Sequence, residues 1–93
     1  MHRRRWTVVW IDEAERRLAE VWLAEHPLKR RLLSRSADEL EQSLATDPEQ
    51  TARRLPEPAN RFMRVHGNLV VIFEIKAQDR LVRVLDVYKS KGE

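Results

Sequence analysis

Residues 61–88, RFMRVHGNLVVIFEIKAQDRLVRVLDVY, leave this chain few ways to fold. Runs rich in Val, Ile, Leu and Phe are broken by HGNL and by AQDR. Short runs of β-branched and aromatic residues bounded by turn residues read as strands. Gly67-Asn68 suits a hairpin turn, which demands a positive φ. The stretch predicts an antiparallel meander with strands at about 60–66, 69–76 and 81–88. Symmetric closure around Gly67-Asn68 sets Val65 opposite Val70, Met63 opposite Ile72 and Arg61 opposite Glu74. Closure around Gln78-Asp79 sets Glu74 opposite Arg83, Ile72 opposite Leu85 and Val70 opposite Val87. All of these share one face on this register. The other face takes Phe62, Val71, Phe73, Ile75, Val82 and Val84, with Arg64, His66, Asp86 and Tyr88 towards its rim.

Ahead of the meander, RWTVVWI alternates as a strand should, with Trp6, Val8 and Trp10 on one face and Thr7, Val9 and Ile11 on the other. Asp12 offers an N-cap, with Glu15 at capping-box spacing. Ala14, Leu18, Val21 and Trp22 then form one helical stripe. Pro27 ends that helix and is placed to begin the next. There Leu33, Ala37, Leu40 and Leu44 repeat in phase, predicting one helix over about 28–46 that runs through the N-cap-like SADE at 36–39. TDPEQTARRLPEP, 46–58, is a turn-rich connection with room for a helical turn at Pro48. The order is β-α-α-β-β-β: an α+β domain over 1–93, its helical hairpin packed on one face of a small antiparallel sheet.

At 93 residues the chain fits one small domain. It has no cysteine, which removes disulfides and thiolate metal sites and fits a reducing compartment. No apolar run is long enough to span a membrane. No signal-like apolar region follows MHRRRW, so the expected location is cytoplasmic. The net charge is +3, unevenly spread: residues 36–50 hold five acids and no Lys or Arg. The flanking stretches, 1–35 and 51–93, each hold nine Lys and Arg against five acids. Basic patches steer nucleic acids or acidic proteins towards a surface. Ser34, Ser36 and Ser43 have no His–acid partner signature, and the only glycines, Gly67 and Gly92, build no phosphate loop. His2 and His26 lack metal-ligand spacing, so neither a metal nor a cofactor is expected.

The apolar face is the most informative feature. A sheet face that meets only water should be polar. On the predicted register it shows Met63, Val65, Val70, Ile72, Leu85 and Val87 beside a single Arg61–Glu74–Arg83 rung. Met63, Val65, Val70, Ile72, Arg83, Leu85 and Val87 are therefore the candidate partner-binding residues, covered by another protein or by a second copy in a homodimer. The rung reads as a cross-strand ion pair worth under about 1 kcal/mol, or as a spot for phosphate or carboxylate, which arginine forks suit. Arg53, Arg54, Arg64 and His66 are the candidate nucleic-acid contacts; the competing reading is a solvated surface. His66, beside Gly67, reads as an acid or base group or as an ordinary turn-edge histidine. Tyr88 is a phenol with a polar tip or a stacking ring. Trp6, Trp10 and Trp22 read as core rather than as base-stacking platforms.

The chain resembles the RelE/ParE superfamily of bacterial toxins, also called plasmid stabilisation proteins. The residues that carry the resemblance are WTVVWIDEAERRLAEVW, LATDPEQTARRLPE and RFMRVHGNLVVIFEIKAQDRLVRVLDV. Order and spacing carry it, from Trp6 to about Lys89, rather than any single motif. The resemblance implies a toxin neutralised by a cognate antitoxin. It implies inhibition of DNA gyrase, or metal-free mRNA cleavage on the ribosome, as the mode of action. Cleavage in such toxins takes the ribose 2′-OH proton with a base and holds the phosphate with cations. Matched to that pattern, Arg61, Tyr88 and Lys89 are the candidate catalytic residues. The chain departs from it where cleaving members place arginine after the hairpin turn. Here Asn68-Leu69-Val70 follows, and Met63 and Val65 are apolar.

Overall fold

The computed structural model describes residues 5–57 and 60–90. Strand β1, Thr7–Trp10, runs straight into helix α1, Asp12–Ala24. A 3-10 turn, Pro27–Lys29, leads into helix α2, Arg30–Thr46. Four strands follow: β2, Arg53–Arg54; β3, Arg61–His66; β4, Leu69–Lys76; and β5, Leu81–Lys89. The predicted β-α-α-β-β-β order holds, with the two-residue β2 inserted ahead of the meander. The sheet is mixed rather than antiparallel throughout. Its order is β1-β5-β4-β3-β2, and β1 pairs parallel to β5, as a strand returning after a long crossover can.

Local chemistry accounts for the helix boundaries. Asp12 is the first helical residue and not the cap: Ile11 sits at the N-cap, and its carbonyl accepts from the Glu15 N–H at 3.0 Å. Asp12, Glu13 and Glu15 still crowd the first turn, where the helix dipole favours negative charge. At the other end of α1 the Arg30 guanidinium donates to the Trp22 carbonyl at 3.0 Å and the Leu23 carbonyl at 2.9 Å. Both carbonyls lie in the last turn of α1, where i+4 donors run out; the Trp22 carbonyl also accepts from the Glu25 N–H at 3.2 Å. Helix α2 runs unbroken through Ser36 because Leu33, Leu40 and Leu44 stay in phase and are fully buried.

The core lies between the helices and one sheet face. Leu33, Leu40 and Leu44 of α2 and Ala14 of α1 meet Phe62, Val71, Phe73, Ile75, Val82, Val84 and Val87. Phe62 and Phe73 stack across β3 and β4 with ring centroids 5.7 Å apart. Val8 and Trp10 of β1, and Trp6 just ahead of it, pack against this core. Trp22 does not join it: at 37% exposure its ring lies on the helical surface, and its indole N–H donates to Ser34 Oγ at 3.1 Å.

The β3–β4 register matches the prediction along its length, from Arg61–Glu74 to Val65–Val70. The β4–β5 register matches only at its start. Glu74 faces Arg83, but Ile72 faces Asp86 instead of Leu85, and Val70 faces Tyr88 instead of Val87. A β-bulge between Ile72 and Phe73 inserts Leu85 as an extra residue on β5 and inverts every side chain beyond it. The Asp86 carboxylate accepts from the Val87 N–H at 2.8 Å at this irregularity.

The hairpin turn contains a sharp test of local strain. Gly67 has φ +61°, and a Cβ there would lie 2.9 Å from Ser36 Oγ on α2. Gly67→Ala combines a left-handed alanine, at about 1–2 kcal/mol, with that contact. Urea denaturation of the variant should show a loss of at least about 1 kcal/mol with an unchanged m-value.

Candidate functional site

The sheet face away from the helices is built in three rows. Arg61, Glu74 and Arg83 form the first; Met63, Ile72 and Asp86 the second; Val65, Val70 and Tyr88 the third. Strand β2 extends the second row, because Arg53 pairs with Met63. Strand β1 brings Val9 beside Arg83. Alternation on β3 and β4 and the bulge on β5 fix which side chains appear here.

The apolar part of the face is open to solvent at its edges and closed at its centre. Val65 is 53% exposed and Tyr88 is 40% exposed, while Val70 between them is 6% exposed. The Tyr88 hydroxyl lies 4.0 Å from Met63 Sδ and bridges the second and third rows. Charge gathers at the other end. Arg83 Nη1 lies 3.4 Å from Glu74 Oε1, a half-exposed pair. Arg61, across the same Glu74, has a buried Nε with no partner among the described residues.

The sequence-predicted residues separate into different surroundings. Met63, Val65, Val70, Ile72 and Arg83 share the open face, as their register requires. Leu85, half-buried, is the bulge residue and lines a hollow with Glu13, Arg16, Arg17, Glu20 and Asp86 beside α1. Val87 is fully buried in the core opposite Val71, where no partner on the open face can reach it. Asp86 and Tyr88 take the places predicted for Leu85 and Val87.

Arg61, Tyr88 and Lys89 do not converge. The Arg61 and Tyr88 rows stand four residues apart along β4, about 13 Å at roughly 3.3 Å per residue. Lys89 follows Tyr88 on the opposite side of β5, and its Nζ lies 2.7 Å from Glu25 Oε2 at the end of α1. Its charge is engaged in closing the helical hairpin onto the sheet. Glu25 also accepts from the His26 N–H at 3.0 Å. The Lys89 ammonium, then that N–H, hold the Glu25 carboxyl below its ordinary pKa against the opposing effect of burial.

The proposed nucleic-acid contacts are likewise dispersed. Arg53 is exposed at the sheet edge. Arg54 lies over the Phe62 ring at 5.5 Å, on the helix side. Arg64 is 6% exposed and donates from Nη2 to Ser43 Oγ on α2. Burial pushes its pKa down, and the Asp47 charge opposes that. His66 Nε2 sits 3.1 Å from Glu39 Oε1. His2 lies outside the described residues. Among the described residues no group of three or more His, Cys, Asp or Glu could hold a metal. None of their helices is long and apolar enough to cross a membrane.

Sequence reasoning missed Asp86 on the open face, Arg53 alongside Met63, and Glu25 as the partner of Lys89. The first had a signal: Val82, Val84 and Val87 are spaced two and then three apart, which strict alternation cannot bury together. The other two join parts of the chain that no short-range pattern connects.

No family model matches the chain, and no curated protein matches it in sequence. Solved structures do match in fold. The toxin–antitoxin complex RelBE2 from Mycobacterium tuberculosis aligns at TM-score 0.75 and 21% identity, covering 95% of this chain and 94% of that one. The chromosomal ParDE system from Pseudomonas aeruginosa aligns at TM-score 0.70 and 15% identity, covering 92% and 97%. TrmO from Pseudomonas aeruginosa aligns at TM-score 0.59 and 32% identity over 95% of this chain, but over only 37% of its own length.

The Glu25–Lys89 link predicts a pH signature. A lowered folded-state pKa gives stability that is complete above the unfolded carboxylate value of about 4.3 and is lost as pH falls through the lower folded value. Thermal melts of the wild type and Glu25→Gln should differ at about pH 7 and converge as the pH drops below about 4. A gap of constant size across that range would break the link.

Proposed function

The chain has the fold of the RelE/ParE toxins, and from that premise we propose that it is the toxin of a toxin–antitoxin pair. It acts by gripping a macromolecular target, translation machinery or DNA gyrase, and is silenced by a cognate antitoxin. The observation that carries this reading is the apolar open face, where Val65, Met63, Ile72 and Tyr88 surround the closed-over Val70. Contiguous apolar surface rimmed by charge is characteristic of a protein-binding site. At about 25 cal/mol per Å², burying a few hundred Å² supplies much of a tight contact before association costs. Solved structures that share this fold over nearly the full length of both chains include a toxin–antitoxin complex, RelBE2, and a ParDE toxin–antitoxin system.

Ribosome-dependent mRNA cleavage is the second reading, with Arg61, Tyr88 and Lys89 as a reduced site. It is disfavoured because phosphodiester scission needs cations and proton-transfer groups gathered around one phosphate. Here Arg61 and Tyr88 are well separated, and Lys89 is bound to Glu25. A third reading, a non-toxic interaction module of this fold, draws on the likeness to one third of the longer TrmO chain.

Induced expression of the chain alone should arrest growth, and co-expression of the small protein encoded beside it should relieve the arrest. Val65→Glu, at an exposed position of the apolar face, should weaken the arrest without unfolding the chain. Normal growth at verified expression would sink the toxin reading in favour of the interaction module. New mRNA ends at the ribosomal A site, mapped by primer extension after in vitro translation, would replace it with the nuclease.

A further inference from the structure

We propose that the tip of the helical hairpin, where the chain turns from α1 into α2, binds the surface of anionic phospholipid membranes. Leu28 is 85% exposed, more than any other large apolar side chain among the described residues, and Leu32 is 57% exposed. Leu28, Arg31, Leu32 and Arg35 stand at i, i+3, i+4 and i+7, on one helical face. The fully buried Leu33, Leu40 and Leu44 lie on the other side of α2, so this face points away from the core. Hydrogen bonds within the tip fix the backbone that presents Leu28. Its N–H donates to His26 Nδ1 at 3.1 Å, and the Lys29 N–H donates to the His26 carbonyl at 2.8 Å.

Charge selects the occupant. Residues 26–37 hold four Lys and Arg and no Asp or Glu. Arg30 is turned back onto the carbonyls of α1 and takes no part. Arg31 and Arg35 are exposed and in no ion pair among the described residues. Glu25, the nearest acid before the tip, is 8% exposed and bound to Lys89. One turn past Arg35 the outward face becomes acidic at Glu39, so the cationic part is confined to the hairpin end. A nucleic-acid backbone would pair the arginines and leave both leucines in water. An apolar protein groove would take the leucines and strip the arginines of water without pairing them. An anionic lipid surface meets both needs in one plane: leucines enter the acyl boundary while cations stay among the phosphates. None of the described helices can cross a membrane, so the contact is peripheral. It does not involve the open sheet face, and it goes beyond the proposed toxin function without resting on it.

Co-sedimentation with vesicles tests this on the wild type, Leu28→Ser, Arg31→Glu and Arg53→Glu, with circular dichroism to confirm each fold. The vesicles are phosphatidylcholine alone, or phosphatidylglycerol and phosphatidylcholine in equal parts. The wild type should partition onto the mixed vesicles and not onto phosphatidylcholine alone. Arg31→Glu should weaken partition at least about tenfold, and Leu28→Ser about tenfold. Arg53→Glu makes the same change in net charge at the β2 edge, where salt screens it from the tip, and should alter partition by no more than about twofold. Both tip residues are exposed, so neither substitution removes a core contact. A wild type that ignores the mixed vesicles overturns the proposal. So does a loss from Arg53→Glu equal to that from Arg31→Glu, or partition indifferent to Leu28→Ser. Binding of a single-stranded RNA oligonucleotide that needs Arg31 but not Leu28, without vesicle uptake, overturns it in favour of nucleic acid. Partition onto lipid is read directly, so the result is unaffected by whether the chain arrests growth.

Discussion

Strand β5 is hydrogen-bonded on both sides, to β1 and to β4, and must send Val82, Val84 and Val87 all into the core. Side chains on a regular strand alternate strictly, so Val84 and Val87 cannot point the same way without an inserted residue. The bulge at Leu85 resolves this conflict. Without it, alternation would leave Val87 in water and carry Asp86 into an apolar interior. Burying an unpaired carboxylate there costs several kcal/mol or forces its protonation. The Asp86 side chain instead bonds the Val87 N–H at the irregularity itself.

The composition of the open face follows from that insertion. Because β5 inverts beyond Leu85, Tyr88 reaches the face and bridges towards Met63, while Lys89 turns to the helix side and meets Glu25. One backbone irregularity thus removes a cation from the helix-free surface and adds an aromatic ring and an acid to it. Of the arginines on this face, Arg61 and Arg83 sit on either side of Glu74 at the far end of the sheet, and Arg53 lies apart from them on the β2 edge beside Met63. The result is a surface suited to another protein's side chains more than to a bound phosphate.

Most of the architecture was legible in the sequence, since it is written in short-range patterns. The alternation in 61–76, the Gly67-Asn68 turn and the Leu33–Ala37–Leu40–Leu44 stripe each specify an element and its buried face. The parallel β1–β5 pairing was not legible, because it joins residues some 70 positions apart with no local signal. Arg53–Arg54 is too short a strand to have a periodicity. Of the seven candidate face residues, Met63, Val65, Val70, Ile72 and Arg83 lie on the open face, and the reading fails where β5 breaks its alternation. The error over Leu85 and Val87 came from extending symmetric pairing past a spacing of three that already contradicted it.

The most direct test of the account is the orientation of residues 87 and 88. The chain has no cysteine, so Val87→Cys and Tyr88→Cys each introduce one reporter thiol. Their labelling rates by a thiol reagent under native conditions, each normalised to the rate in denaturant, measure which side chain faces solvent. The bulge predicts that Cys at position 88 reacts within about tenfold of its unfolded rate and that Cys at 87 is protected by at least about a hundredfold. Fast labelling at 87 with protection at 88 would restore the regular register and contradict the account.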